Sequence, residues 1–437
     1  MKRPVVIVLL TIALTLVCLG IGAVVFFVAN GGFPTNNPFD VRNISSSLEE
    51  SKTLNVDVEK SITLDVSDDA GDVTVTGADV ETVQVQVIKT AYDSTQARAD
   101  GEVKGIQYTI TQNGNAITIK YSLPKSMNFN NQINTVDFIV TVPSETQVTI
   151  DTNGDVTVSD IKGNTDLTTD FGSLNVENIE GSLSMDTNNG DIQAKYVNAS
   201  GKDIKVDSSF GDVTMEQIAC HDLTVTASNG QLSFTNVRAT SEIYTKSSFG
   251  DVTYENGSST SLQLESSNGK IKITKFDVKQ GLEIKNSFGD IRLTDVTADS
   301  YDLSDNNGDL TIDGVSGKLK AHIEFGDIEI VNASSVILDL DTNNGSIEFN
   351  GSLGEGPHTV KSEFGSVNLT LPADIKLNVD LSTEFGKIKS DMPITVTVTE
   401  TSGSNSNHDQ IVGTINGGGD QLTVDTNNGS VTIHVSK

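Results

Sequence analysis

One short turn recurs along this chain and limits the folds open to it. "SSFGDVTYEN" spans residues 247–256, and "SSNGKIKI" repeats the phrase with Gly269 nineteen residues beyond Gly250. The glycines align as Gly154, Gly172, Gly190, Gly211, Gly230, Gly250, Gly269, Gly289, Gly308, Gly326, Gly345, Gly365 and Gly386. Their separations are 18, 18, 21, 19, 20, 19, 20, 19, 18, 19, 20 and 21 residues. A last match, Gly429, lies 43 residues further on, close to two periods with one turn degraded. A period near 20 residues marks a solenoid.

Apolar residues fall two and four positions after the glycine, as in Val213 and Met215, Leu232 and Phe234, or Ile271 and Ile273. Another often follows at seven, as in Ile218, Val237 and Phe276. They return seven and five before the next glycine, as in Leu223 and Val225 or Leu262 and Leu264, with Thr, Ser, Asp, Glu and Lys between. A period of two means strands with one face buried and one wet. Neither strand of a repeat can bury its inner face alone, so stacked coils must form the core. The expected fold is all-β: an elongated parallel β-solenoid, or β-helix, with about 19-residue coils. The 275 residues from Gly154 to Gly429 would give about 14 coils and a rod of roughly 70 Å.

The residue before the glycine alternates without a fault. It reads Asn153, Phe171, Asn189, Phe210, Asn229, Phe249, Asn268, Phe288, Asn307, Phe325, Asn344, Phe364. Continuing the alternation from positions −7, −5 and −3 predicts that −1 points inward. Buried phenylalanine in every coil would overpack the stack. An intervening asparagine relieves the crowding and can bond the backbone of the corner. The expectation is an inward ladder, with Gly at a positive-φ corner.

The run Val5–Ala29 is uncharged and, at 25 residues, exceeds the roughly 20 needed to cross a bilayer. Lys2 and Arg3 precede it and Asp40, Glu49 and Glu50 follow, so positive charge stays inside. The reading is one transmembrane helix with the N-terminus cytoplasmic and the bulk of the chain extracytoplasmic; a cleaved signal is the alternative. The predicted organisation is a cytoplasmic stub at 1–4, the membrane segment at 5–29, a linker at 30–50, a β-rich entry or cap region at 51–150 and solenoid repeats at 151–437. Within the entry region a short helix is expected near Ser94–Glu102, and Gln112–Asn115 carries Asn-Gly between alternating runs, a hairpin signal. An antiparallel layer there would cover the first coil, because open strand edges recruit other chains. Ser402–Gln410 reads as a loop.

A membrane segment, the hairpin "ITQNGNAITI", a strand ending "IVTVP" at Pro143, reiterated "TNNGDI" and "SFGDV" turns and the closing "QLTVDTNNGSVTI" resemble the bacterial putative-adhesin family of β-solenoid domains, itself catalogued as a domain of unknown function. The resemblance covers roughly residues 50–437. It implies an envelope or surface protein and brings no catalytic residues with it.

Composition narrows the chemistry. Lys+Arg 29 against Asp+Glu 59 gives a net charge of −30, which repels nucleic acid. Cys18 and Cys220 are too few for a disulfide framework or a thiolate metal site, and Cys220 reads as a small buried filler. His221, His322, His358, His408 and His434 scatter over different coils, and Arg238 and Arg292 are the only arginines among the coils. No Arg/Lys cluster marks a cleft for acidic sugars. Asp191, Asp212, Asp251, Asp290, Asp309 and Asp327 follow the glycine and should face outward. Asp290, Asp309 and Asp327 lie on successive coils, where Ca²⁺ could bridge them. Gln231, Lys270, Ser346, Ser366 and Lys387 break the ladder, so the reading adopted is a solvated acidic edge. No catalytic, cofactor or metal residue is assigned. The expected function is non-catalytic surface adhesion or envelope interaction, with a glycan, cell-wall polymer or protein as partner. The alternatives are an envelope-stress or signalling accessory and, behind it, a polysaccharide-active enzyme.

Overall fold

The computed structural model describes residues 44–123, 133–401 and 408–436. The apolar run Val5–Ala29 lies outside these residues, as does most of the expected loop at Ser402–Gln410. Among the described residues no helix is long and apolar enough to cross a membrane.

The repeat builds an all-β solenoid. Strands Ile204–Phe210 and Val213–Cys220 flank Gly211, and Leu223–Asn229 and Leu232–Ala239 flank Gly230. Each strand pairs in parallel with its equivalent one coil on, Ile204 opposite Leu223 and Val213 opposite Leu232. Between Gly154 and Gly365 the chain makes about 11 turns of ~20 residues. Two parallel sheets result, one from the strands before the glycine and one from those after it. Their inward residues at −7, −5, +2, +4 and +7 form one continuous apolar core.

The glycines stack on one another, which gives a reason for them broader than φ. A Cβ on Gly230 would stand 1.9 Å from the Gly211 carbonyl oxygen, and one on Gly345 1.8 Å from that of Gly326. Only some corners have strongly positive φ, such as Gly250 at +128° and Gly289 at +119°. Close approach of backbone to backbone therefore requires glycine even where φ does not.

A second corner lies six residues after the glycine. Asp160, Asn178, Tyr196, Gln217, Asn236, Asn256, Lys275, Asp295 and Asn332 all have φ between +53° and +60°. The kink follows from burying both +4 and +7: an odd step cannot be made by strict alternation, so one residue takes the left-handed conformation. Asn and Asp accept it most readily.

The Phe/Asn position departs from expectation. Phe171, Phe210, Phe249, Phe288, Phe325 and Phe364 are all more than half exposed, and Asn153 and Asn189 are exposed as well. The inward ladder is overturned. Positions −3 and +2 are both buried and five residues apart, so the alternation must slip between them. It slips directly after −3, and −2, −1 and +1 all turn outward at the corner. Nor does the core reject aromatics on neighbouring coils: Phe234 and Tyr254 stack inside it with ring centroids 4.3 Å apart.

Position −3 is instead inward, and it is polar on most coils, with Ala227 and Ile323 as apolar exceptions. Thr169 Oγ1 donates to the Gly154 carbonyl at 2.8 Å, Thr187 to Gly172 at 3.0 Å, Thr342 to Gly326 at 3.2 Å and Ser362 to Gly345 at 2.9 Å. These hydroxyls satisfy buried carbonyls at the corner.

Both ends depart from simple stacking. Ile62–Asp68 and Val73–Ala78 pair in parallel with Thr146–Thr152 and Val156–Ile161, so Gly71 already belongs to the glycine stack. Ile44–Asn55, Thr82–Asp93 and Thr135–Pro143 form the antiparallel layer beside it. A helix at Gln96–Gly105 buries Ala99 and Val103, and Tyr108–Asn113 pairs antiparallel with Ala116–Tyr121 across Gly114. At the far end no turn is degraded. After the Gly386 coil the chain forms an antiparallel pair, Ile394–Thr401 with Asp409–Ile415. It then returns to insert Asp420–Asn428 between His358–Phe364 and Leu377–Thr383. The glycine order in space is thus Gly365, Gly429, Gly386.

Candidate functional site: an exposed aromatic edge

The corner before each glycine forms a continuous edge from coil to coil. Parallel register places each phenylalanine beside an asparagine on both neighbouring coils: Phe249 lies opposite Asn229 and Asn268, and Phe325 opposite Asn307 and Asn344. Sequence order would follow Phe364 with Phe385 and lose the alternation. The inserted C-terminal coil restores it, because Asn428 pairs with Phe364 and the Phe385 N–H donates to the neighbouring Asn427 carbonyl at 2.7 Å. The rings are 51% exposed at Phe325 to 69% at Phe171, with Phe385 at 56%. A row of this kind is exceptional on a water-facing surface.

The asparagines tie the edge. Asn153 donates its amide to the Asp69 carbonyl at 2.9 Å, and Asn229 to the Ser209 carbonyl at 3.2 Å, each reaching the coil before it. A phenyl ring can make no such bond, so hydrogen bonding does not account for phenylalanine at alternate corners.

The outward aspartates at +1 do structural work. Asp155 Oδ1 accepts the Ser173 N–H at 2.7 Å, Asp212 that of Gln231 at 2.7 Å, Asp251 that of Lys270 at 2.8 Å and Asp309 that of Asp327 at 2.9 Å. Each carboxylate caps an amide that the corner leaves unpaired in the next coil. In the column Asp290, Asp309, Asp327, one oxygen of each is committed in this way. Asp290 also meets Lys270 at 2.9 Å, and that bond holds its carboxyl below the usual range. Asp203, His221 and Asp222 are the group of metal-ligand type whose atoms gather within 4.8 Å among the described residues. Two of its oxygens likewise accept backbone N–H groups, from Asp222 and Glu242.

The remaining candidates stay apart. His322 meets Asp341 at 3.0 Å and His434 meets Asp391 at 2.9 Å, on separate coils. His358 is buried in a core slot, where desolvation lowers its pKa. Burial pushes the Cys220 thiol up to about 12, which keeps it protonated and unreactive. Register does bring Lys272 beside Arg292, and with Lys270 they line a groove shared with Asp251, Asp290 and Asp309. Twenty residues separate Lys272 from Arg292 in sequence, so only the coil register makes them neighbours.

The fold and edge define a non-globular repeat protein: a β-solenoid carrying a periodic aromatic strip. The chain belongs to the Toastrack family, DUF4097, whose model matches residues 63–294 and 275–434. No curated protein matches it. Among solved structures it is similar to a putative cell adhesion protein from Clostridium sporogenes, 9% identical, covering 90% of this chain and 100% of that one at a TM-score of 0.18. It is also similar to a putative adhesin from Bacteroides fragilis, 11% identical over 88% and 97% of the two chains at a TM-score of 0.19.

Proposed function

We propose that this protein is a membrane-anchored, extracytoplasmic β-solenoid that works by adhesion or cell-envelope interaction and performs no catalysis. The observation that carries the reading is the exposed Phe/Asn edge. Apolar rings held in a row on a rigid scaffold lower their free energy when a partner covers them. The uncharged run Val5–Ala29 behind Lys2 and Arg3 supplies the anchor, and Asn30–Asp40 the spacer that lifts the rod off the bilayer. The net charge of −30 keeps such rods dispersed and turns nucleic acid away.

Protease treatment of intact cells tests the placement: cleavage of the coils from outside supports it, and full protection overturns it. Attachment of cells bearing the full chain to purified envelope material or to other cells tests the role. Replacing Phe249 and Phe288 by serine is expected to abolish most attachment, while Thr253→Ser leaves it intact. Equal attachment by both variants would remove the edge as the contact surface.

A further inference from the structure

We propose that the Phe/Asn edge is a track for an extended, uncharged or amino-bearing β-1,4-linked glycan, with one phenylalanine under every second sugar. This rests on the adhesion reading and names the partner of the same edge. Coils stack at the strand spacing, so rings on alternate coils recur at about 9.6 Å. An extended β-1,4 chain repeats on nearly the same length, because successive sugars turn over about a two-fold axis. Only every second ring then presents the same C–H face to a flat support. A generic apolar contact would gain from phenylalanine on every coil, yet with the coils ordered by their stacked glycines the edge alternates at every position from Asn153 to Phe385. The inserted coil keeps that period where the sequence order breaks it.

Polar rows flank the rings on both sides. Ser209, Ser248 and Ser267 precede the edge, and Asp212, Asp251 and Asp309 follow the glycine with one carboxylate oxygen each left over from the amide bond. Sugar hydroxyls fit such a rim of acceptors and amides. The charge of the whole chain narrows the partner further: beside Phe249 and Phe288 the +1 column mixes Asp251, Lys270 and Asp290, yet the net charge of −30 disfavours a uronic-acid or phosphate polymer, and a second copy of the chain would bring another −30 against this one.

The test is calorimetric titration of the detergent-solubilised full chain with β-1,4-linked N-acetylglucosamine oligomers of increasing length. Affinity is expected to rise several-fold with each added disaccharide, as each new ring engages. Oligomers of α-1,4-linked glucose and polygalacturonate should not bind. Phe249→Ser with Phe288→Ser should weaken binding by about tenfold. Asn268→Phe adds apolar surface but breaks the repeat, so it should weaken binding too. The proposal falls if affinity is independent of length, if Asn268→Phe tightens binding, or if the chain sediments as a dimer that the serine variants dissociate. If no glycan binds while the serine variants still lose attachment, the glycan is wrong and adhesion stands. If neither is affected, both are wrong.

Discussion

Alanine at Gly250 should destabilise the rod far more than alanine at Gly281, although both glycines lie in the same stack of coils. At Gly250 the new Cβ would meet the Gly230 carbonyl oxygen at 1.9 Å and its carbon at 2.6 Å, with φ at +128°. Relief requires the two coils to part at the corner, which strains or breaks the Gly230 N–H bond to Phe249 at 3.0 Å and the Leu232 N–H bond to Asp251 at 2.9 Å. Two backbone bonds at about 1 kcal/mol each add to about 1–3 kcal/mol for the disfavoured φ. The total is about 3–5 kcal/mol, at the severe end for a point change. At Gly281 the nearest atom to a new Cβ is Ser300 Oγ at 3.6 Å, so alanine is expected within about 0.5 kcal/mol of the parent. Outward Thr253→Ala should be similarly mild. Urea unfolding followed by circular dichroism, with hydrogen exchange to locate the opening, measures the difference. Equal midpoints for the Gly250 and Gly281 variants would refute the glycine-stack argument.

Burial pushes the Asp68 carboxyl up to about 7, with the charges of Asp137, Asp69 and Asp72 adding to the effect. Its folded pKa lies above the unfolded one, so its favourable contribution is complete below about pH 4 and is lost as pH rises through 7. Asp68→Asn keeps an acceptor for the Ala70 N–H and should stabilise the protein by up to about 4 kcal/mol at pH 8, with little effect at pH 4; an unchanged difference across that range would refute it. His358 shows the opposite sign. Its folded pKa is depressed by burial, so stability is full above about 6.5 and declines as pH falls below that value. His358→Leu, matching its register partner Leu422, should flatten the loss between pH 6.5 and 5, and a parallel acid limb in both proteins would count against it.

Strand direction, coil period and inward positions could be read from the spacing of Val213, Met215 and Ile218 because burial of alternate residues leaves its mark in composition. The outward setting of Asp251 and Asp309 was legible for the same reason, whereas their bonds to amides of the next coil were not. Those bonds join residues about nineteen apart, and a carboxylate that caps a backbone N–H looks in sequence like one that faces water. The pairing of Lys272 with Arg292 was hidden in the same way.

By itself the sequence determined a rod of parallel coils with glycine at each corner, since only stacked repeats can bury so short and so regular an apolar pattern. Tertiary structure decided which way Phe249 and its equivalents point. Inward residues at −3 and +2 require a slip in alternation, but their spacing leaves its position open; in the structure it falls directly after −3, where hydroxyls such as those of Thr169 and Thr187 bond inward to the glycine carbonyl of the preceding coil. It also decided the end of the rod, where the last coil in sequence lies second to last in space. That insertion depends on strand edges left open by the Gly365 and Gly386 coils, and a long-range pairing of this kind leaves no period to read.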